Sequence, residues 1–200
     1  MNKGFILIGA GGHAKVIAEI IEESGGTIQQ IVDANSKITE LIGYRVTKEI
    51  PKGYPMIIAI GNNTIRKRVA DENKAEFGIA IHPSANISKR SSIENGSVVM
   101  SGVSINSGTQ IGKHCIINTN ASVDHDCVIS DFVHISPNAA LAGNVTVGEG
   151  SHIGIGSSVI QGINIGKWVT IGAGAVIIVD IPDHAVVVGV PGRIIKYNKP

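Results

Sequence analysis

Residues 111–134 read IGKHCI INTNAS VDHDCV ISDFVH, four hexads that each open on isoleucine or valine. The phase holds without insertion at seventeen consecutive positions: Ile81, Ile87, Ile93, Val99, Ile105, Ile111, Ile117, Val123, Ile129, Ile135, Leu141, Val147, Ile153, Val159, Ile165, Ile171 and Ile177. A period of six is neither the 3.6 of a helix nor the two of a strand. It fits a chain that makes a short strand, turns a corner and repeats. Gly112, Gly148, Gly154, Gly166 and Gly172 follow the aliphatic, and small or β-branched residues recur four places after it, as at Ser97, Cys115, Ser157, Val169 and Ala175.

Three hexads close one triangular turn of a β-solenoid, so residues eighteen apart stack on neighbouring rungs about 4.8 Å apart. One rung cannot bury its aliphatics, whereas stacked rungs share a continuous core. With no gap in the register, a site has to be built from outward side chains or between neighbouring prisms. The hexapeptide repeat resembles the left-handed parallel β-helix of the acyltransferases. Residues 81–179 are assigned to that coil and 180–200 to a tail, in which Asp180-Ile181-Pro182-Asp183 breaks the repeat and Ala185–Pro191 caps the open end.

Residues 1–80 have a different period and predict a Rossmann-like α/β nucleotide-binding domain. Phe5–Ile8 reads as a buried strand, Gly9-Ala10-Gly11-Gly12-His13 as a tight loop, and Ala14–Glu23 as a helix with Val16, Ile17, Ile20 and Ile21 on one face. Strands over Ile28–Val32 and Met56–Ile60 follow, then a charged helix over Asn63–Phe77 capped at Asn62-Asn63. This order implies a small parallel sheet with right-handed crossovers.

A formal net charge of +1 with no basic stripe argues against nucleic acid as a partner. No apolar run reaches the roughly 20 residues of a membrane span, and Phe5–Ile8 is too short for a signal sequence, so a cytoplasmic location is expected. Cys115 and Cys127 are twelve apart, two faces round the coil, and read as reduced core thiols.

The Gly9–Ala14 loop satisfies G-x-G-x-x-G/A between strand and helix, and Asp33 ends the next strand 24 positions later. The domain is half the size of a dinucleotide fold, so a mononucleotide or nucleotide-sugar fits better than NAD, its diphosphate on the amides of Gly9, Gly11, Gly12 and His13 and its ribose or base on Asp33. The alternative is that these glycines only make a sharp turn. Gly61-Asn62-Asn63 lies at the carboxyl end of the third strand, where ligands collect in open parallel sheets. Arg66 and Lys67 just beyond belong to the same site or to a solvated helix face.

His125 sits two places after Val123, facing outward between Asp124 and Asp126, as a general base beside a carboxylate would. Gly143, eighteen residues on, lies one rung above it, where a bare N–H can meet an oxyanion. His134 and His152 are also eighteen apart and stack. Without a third histidine in place they make a poor zinc site and read better as one side of a groove between subunits.

Gly9–Lys15, Ala59–Asn63, Val123–Cys127, His134–Pro137, Ala142–Asn144 and Val188–Pro191 together resemble the bacterial nucleotide-sugar acetyltransferases that modify bacillosamine precursors, a group that includes perosamine N-acetyltransferases and sialic acid O-acetyltransferases. The resemblance covers nearly the whole chain. It implies a homotrimer that uses acetyl-CoA, without a metal, to acetylate the 4-amino group of a UDP-linked 4-amino-4,6-dideoxy sugar. It further implies His125 as base with Asp126 and Gly143, acetyl-CoA against His134, Gly143, Ile155 and Ala173, and the sugar nucleotide against the first loop, Asp33, Gly61 and Asn62. A GDP-perosamine or sialic acid acceptor and a non-enzymatic nucleotide-sugar scaffold are the alternatives. Asp126 stands where some relatives have Glu, and Gly192-Arg193 replaces the commoner Ala-Lys.

Overall fold

The computed structural model describes residues 4–198. The N-terminal part contains β1 (Gly4–Ile8), α1 (Gly12–Glu23), β2 (Thr27–Val32), β3 (Glu40–Leu41), β4 (Tyr44–Thr47), β5 (Met56–Ile58) and α2 (Asn63–Glu72). The sheet runs β3-β4-β2-β1-β5. β1 is parallel to β2 and β5, and β2 to β4, while β3 returns antiparallel on β4. This edge hairpin, turned through Ile42 and Gly43 at φ of 44° and 85°, is absent from the sequence reading.

α1 starts two residues earlier than expected, at Gly12. α2 stops at Glu72 rather than Phe77, because Asn73 turns extended and Phe77 is drawn into a parallel bridge with Met56. The third strand likewise ends at Ile58. Its carboxyl end then bends through Ala59 and Ile60 toward the α2 cap.

From Ala80 onward the chain is a β-solenoid of two-residue strands at six-residue intervals, stacked in three parallel sheets. Partners are eighteen apart, as in Ile117↔Ile135 and His134↔His152. Ile117, Ile135 and Ile153 are wholly buried, as are Cys115 and Cys127, both free thiols.

Every sixth residue from Gly96 to Gly174 has positive φ, because each corner passes through the left-handed region. Gly, Asn and Asp tolerate that conformation and occupy eleven of these corners. The other three are His114, Phe132 and Trp168, all on one column with Gly96 and Gly150. Gly is required at Gly150 twice over: its φ is 70°, and a Cβ would lie 2.5 Å from the Trp168 ring.

The coil does not break at Asp180. Ile181 bridges Ile165 and Val187 pairs with Ile171, so one rung is shortened to sixteen residues. Ala185–Val188 therefore forms the last parallel strand of one sheet, and Arg193–Tyr197 folds back antiparallel along it as the edge.

The two parts share a core. Ala14, Ile17, Ala18 and Ile21 of α1 are buried together with Ala80, Val98, Met100 and Ile116 from one outer face of the coil. That face is apolar because it is covered. A change of Ile135 to Ala, inside the coil, should lower unfolding free energy by about 2–5 kcal/mol. Exposed Gln110→Ala should stay within about 0.5 kcal/mol in the same denaturant titration.

Candidate active site

A groove of about 770 Å³ lies where the β5–α2 loop meets the coil. Gly61, Asn62, Asn63 and Thr64 line one side, and His134, His152 and Thr170 project from stacked coil strands. Trp168, His184 and Asn198 complete it. Asn198 is held there by its N–H donating to the His184 carbonyl at 2.7 Å and its Nδ2 donating to Thr170 Oγ1 at 3.2 Å.

The glycine loop is held open toward solvent. Gly9 needs its φ of 111° and its missing Cβ, which would fall 2.9 Å from the Ala59 carbonyl. Space above Gly11 and Gly12 is free, at the N-terminus of α1. Asp33 braces this loop. Its Oδ2 accepts the Ala10 N–H at 2.7 Å and its Oδ1 the Asn35 N–H at 2.8 Å, which leaves each oxygen one further lone pair for a ligand. Asn62 is committed to capping α2, accepting from the Ile65 N–H at 2.9 Å. The His13 side chain turns inward: burial, with the Arg66 charge second, lowers its pKa to about 4, and its Nε2 has no hydrogen-bond partner.

Arg66 is no solvated helix residue. It is 1% exposed and spans the junction between the two parts. Nε donates to the His114 carbonyl at 2.8 Å and Nη2 to the Phe132 carbonyl at 2.8 Å, two left-handed corners one rung apart. Nη1 donates to the carbonyls of Ile60 and Gly61, and Nη2 also reaches Asn63 Oδ1 at 2.9 Å. Asn63 Nδ2 extends the ladder to the Gly150 carbonyl at 3.0 Å, one rung higher. The column of bulky left-handed corners is thus the surface on which α2 docks. His114 is stacked on Phe132 at 5.0 Å and Lys67 sits over the Phe132 ring at 5.0 Å.

On the coil wall, His134 and His152 stack with ring centroids 4.7 Å apart. The Thr119 N–H donates to Asn118 Oδ1, which orients the amide so that Nδ2 donates to His134 Nε2 at 3.0 Å. The His134 proton therefore rests on Nδ1. Burial pushes His134 down to about 3, with His152 and Arg66 adding to the effect, and burial also lowers His152, whose Nε2 is 2.7 Å from Ser136 Oγ. Both imidazoles are neutral at physiological pH.

His125 occupies a separate place, on an exposed corner between the other two faces. Its Nδ1 is 2.8 Å from Asp126 Oδ2, and Asp124 Oδ1 accepts the His125 N–H at 2.8 Å and an Asn106 Nδ2 bond at 2.7 Å. The Asp126 hydrogen bond, then the Asp124 charge, raises the His125 pKa. Asp126 reaches this position from a left-handed corner, φ 58°. A Cβ on Gly143 would lie 2.5 Å from His125 Nε2, so the imidazole lies over that glycine as the eighteen-residue register requires. Among the described residues the Gly143 N–H has no hydrogen-bond partner.

Gathered in one chain, then, are Gly61, Asn62, His134 and His152 in the groove, with His13 beside it, and His125, Asp126 and Gly143 on the corner. The groove lining includes none of the last three, and His134 and Gly143 stand on different faces of the coil. Ile155 and Ala173 are exposed on stacked turns of the coil. Asn63 lines the groove, as its place in the Gly61-Asn62-Asn63 loop suggested, whereas Arg66, left between that site and a solvated face, is buried behind the wall, and Trp168, His184 and Asn198 were not singled out from the sequence. Trp168 carries one signal in hindsight, a bulky residue at a corner phase otherwise filled by Gly, Asn and Asp.

Residues 5–73 match the PglD N-terminal domain family. Over 112 residues the chain is 42% identical to the UDP-N-acetylbacillosamine N-acetyltransferase of Bacillus subtilis (strain 168), a stretch covering 50% of this chain and 52%, about half, of that relative. The structure of PerB from Caulobacter crescentus in complex with CoA and GDP-perosamine superposes with a TM-score of 0.92 and 38% identity, over 96% of this chain and 97% of that one. The acetyltransferase domain of PglB from Neisseria gonorrhoeae FA1090, in complex with acetyl coenzyme A, gives 0.90 and 38% over 98% and 100%. With a β-solenoid of the left-handed type behind a PglD-type domain, and the PerB and PglB structures matched over nearly its whole length, the chain belongs to the nucleotide-sugar N-acetyltransferases.

Proposed function

We propose that the protein transfers acetyl from acetyl-CoA to the 4-amino group of a UDP-linked 4-amino-4,6-dideoxy sugar, in a site shared between copies of a homotrimer. The observation that carries this reading is the His125–Asp126 pair over the bare Gly143 on an exposed corner. Residues 1–80 form the Rossmann-like nucleotide-binding domain in this reading. The diphosphate lies at Gly11 and Gly12 on the α1 N-terminus, with Asp33 toward the ribose or base, and the sugar extends along Gly61 into the groove. A neighbouring coil brings His125 to the amine. The acetyl-CoA arm runs between coils past His134, Ile155 and Ala173.

In the chemical step Asp126 holds the proton on His125 Nδ1, leaving Nε2 free to accept. The sugar amine attacks the thioester carbonyl carbon and passes one proton to Nε2. The Gly143 N–H stabilises the oxyanion, and on collapse the C–S bond breaks and His125 returns the proton to the CoA thiolate. No acyl-enzyme is needed. Burial holds both thiols in their protonated form, pushing Cys115 up to about 12 and Cys127 upward as well.

PerB, seen with GDP-perosamine, matches 96% of this chain, against 50% for the UDP-N-acetylbacillosamine N-acetyltransferase, which keeps a GDP-linked amino sugar as the second reading. Turnover of acetyl-CoA against matched UDP- and GDP-linked 4-amino sugars separates the two. Failure with every amino sugar would overturn both.

His125→Ala should lower kcat by roughly 10²–10⁴ with the melting temperature unchanged, since the side chain is exposed and its loss opens no cavity. Near-normal turnover would remove His125 as the base. The base acts when neutral, so activity falls as pH drops through its pKa. Asp126 raises that pKa, and Asp126→Asn should move the acidic limb of the kcat profile to lower pH. Rates from pH 5 to 9 test this. For the shared site, mixing His125→Ala subunits with subunits carrying Gly12→Asp in the phosphate loop should restore part of the activity that neither homotrimer has. Light scattering should show three chains per particle.

A further inference from the structure

The three bulky left-handed corners between Gly96 and Gly174 do not share one explanation. α2 holds the carbonyls of His114, Phe132 and Gly150, and the Phe132 ring. Trp168, at φ 54°, takes no part in that attachment. Among the described residues its carbonyl receives only Asn198 Nδ2, at 3.4 Å, and its side chain belongs to none of the apolar clusters. A strained corner that serves neither docking nor core points to the groove that its side chain lines.

The indole is laid out as a platform. A Cβ on Gly150 would lie 2.5 Å from Cδ2 and Cε3 and 2.6 Å from Cε2, three atoms about the ring-fusion bond, so the ring rests with one face on the bare backbone of the rung below. Among the described residues no other ring stacks on it. Its Nε1–H has no acceptor among them and is not one of the polar atoms buried without a partner, so that edge is open to solvent. Thr170 and Asn198 share the groove with it, joined by Asn198 Nδ2 donating to Thr170 Oγ1 at 3.2 Å. An electron-rich aromatic surface next to hydroxyl and amide groups matches a pyranose ring, whose C–H groups pack on the indole while its hydroxyls turn to the polar side. The nucleobase has its place at Asp33 in the proposed function and does not compete for this wall.

We propose that Trp168 is a specificity-determining residue that seats C5 and the C6 methyl of the acceptor sugar and so selects the 6-deoxy form, a role that rests on the sugar lying in the groove as the proposed function has it. A methyl group gives up nothing against the indole, whereas a 6-hydroxyl there would lose its hydrogen bonds to water. C5 is bonded to C4. A sugar held at its C5–C6 edge therefore has its 4-amino group aimed as well, which is what the attack on the thioester needs.

The chain has one tryptophan, so its emission reports this position alone. With the full chain and no acetyl-CoA, the UDP-linked 4-amino-4,6-dideoxy sugar, or its GDP-linked counterpart, should shift or quench that emission. UDP or GDP alone, and acetyl-CoA alone, should leave it as in the free protein. Trp168→Gly accepts the positive φ without strain and should fold. In this variant KM for the 6-deoxy amino sugar should rise about ten- to hundredfold while KM for acetyl-CoA stays within about twofold. The native preference for the 6-deoxy sugar over its 6-hydroxy analogue, roughly ten- to hundredfold, should nearly vanish in Trp168→Gly and return in part in Trp168→Phe.

An emission change with UDP, GDP or acetyl-CoA alone equal to that with the sugar nucleotide would overturn the proposal, as would emission unmoved by either sugar nucleotide. An unchanged 6-deoxy preference in Trp168→Gly would do the same. Emission is read on the native chain without turnover. A protein that binds the sugar nucleotide against Trp168 and acetylates none of them would therefore defeat the proposed function and leave the sugar seat standing.

Discussion

The eighteen-residue register is the constraint from which the rest follows. A parallel rung satisfies its backbone only through the rungs above and below, as in the Ile117↔Ile135 and Ile135↔Ile153 pairs, so no rung can slip without unpairing its neighbours. Slippage would also turn every buried aliphatic outward. The same register delivers function-bearing geometry at no further cost: His125 over Gly143, and His134 over His152, are consequences of stacking. An imidazole set this way needs no loop to order it.

Where the coil departs from its easiest sequence, it does so on one column. His114, Phe132 and Trp168 adopt positive φ where Gly, Asn or Asp would do so with less strain. The His114, Phe132 and Gly150 carbonyls of this column, and the Phe132 ring, are what α2 holds, through Arg66, Asn63 and Lys67. The strain is set against a docking surface that fixes the Gly61–Thr64 loop beside the coil, and the groove exists only because that loop is fixed. Apolar packing of α1 on Val98 and Ile116 supplies the non-directional part of the attachment, and the Arg66 ladder supplies its register.

Much of this was legible in the sequence because repetition makes three dimensions readable in one. The phase from Ile81 predicted the sheets, the core and which histidines meet. The glycine loop was legible for a local reason, since Gly9 needs a conformation few residues reach. The Arg66 clamp was not, because the sequence leaves Arg66 between the ligand site and a solvated helix face, and no local pattern shows that a neighbouring column presents carbonyls to it. The β3–β4 hairpin was missed because its strands are two and four residues long, and its turn at Ile42 lacks the usual residue for positive φ. The shortened last rung escaped because Ile181 and Val187 keep the alternation while breaking the count by two. The groove joins residues from both ends of the chain, from Gly61 to Asn198, and no local pattern announces that.

A solenoid closed by its own core has no interior to offer a ligand and no hinge with which to close over one. Its rungs transmit position well and movement poorly. An enzyme built on it has to obtain exclusion of water from a second surface. In this chain the His125–Asp126 pair and Gly143 are on an exposed corner, and the groove with its neutral imidazoles is on another face. In the proposed homotrimer, rotation about a closed axis would set the corner of one copy against the groove of the next and repeat the contact until the ring is complete. Burying the reacting groups at such a contact lowers the local dielectric when the site is assembled, and the fixed charges on both sides then act at greater strength than either face exerts alone.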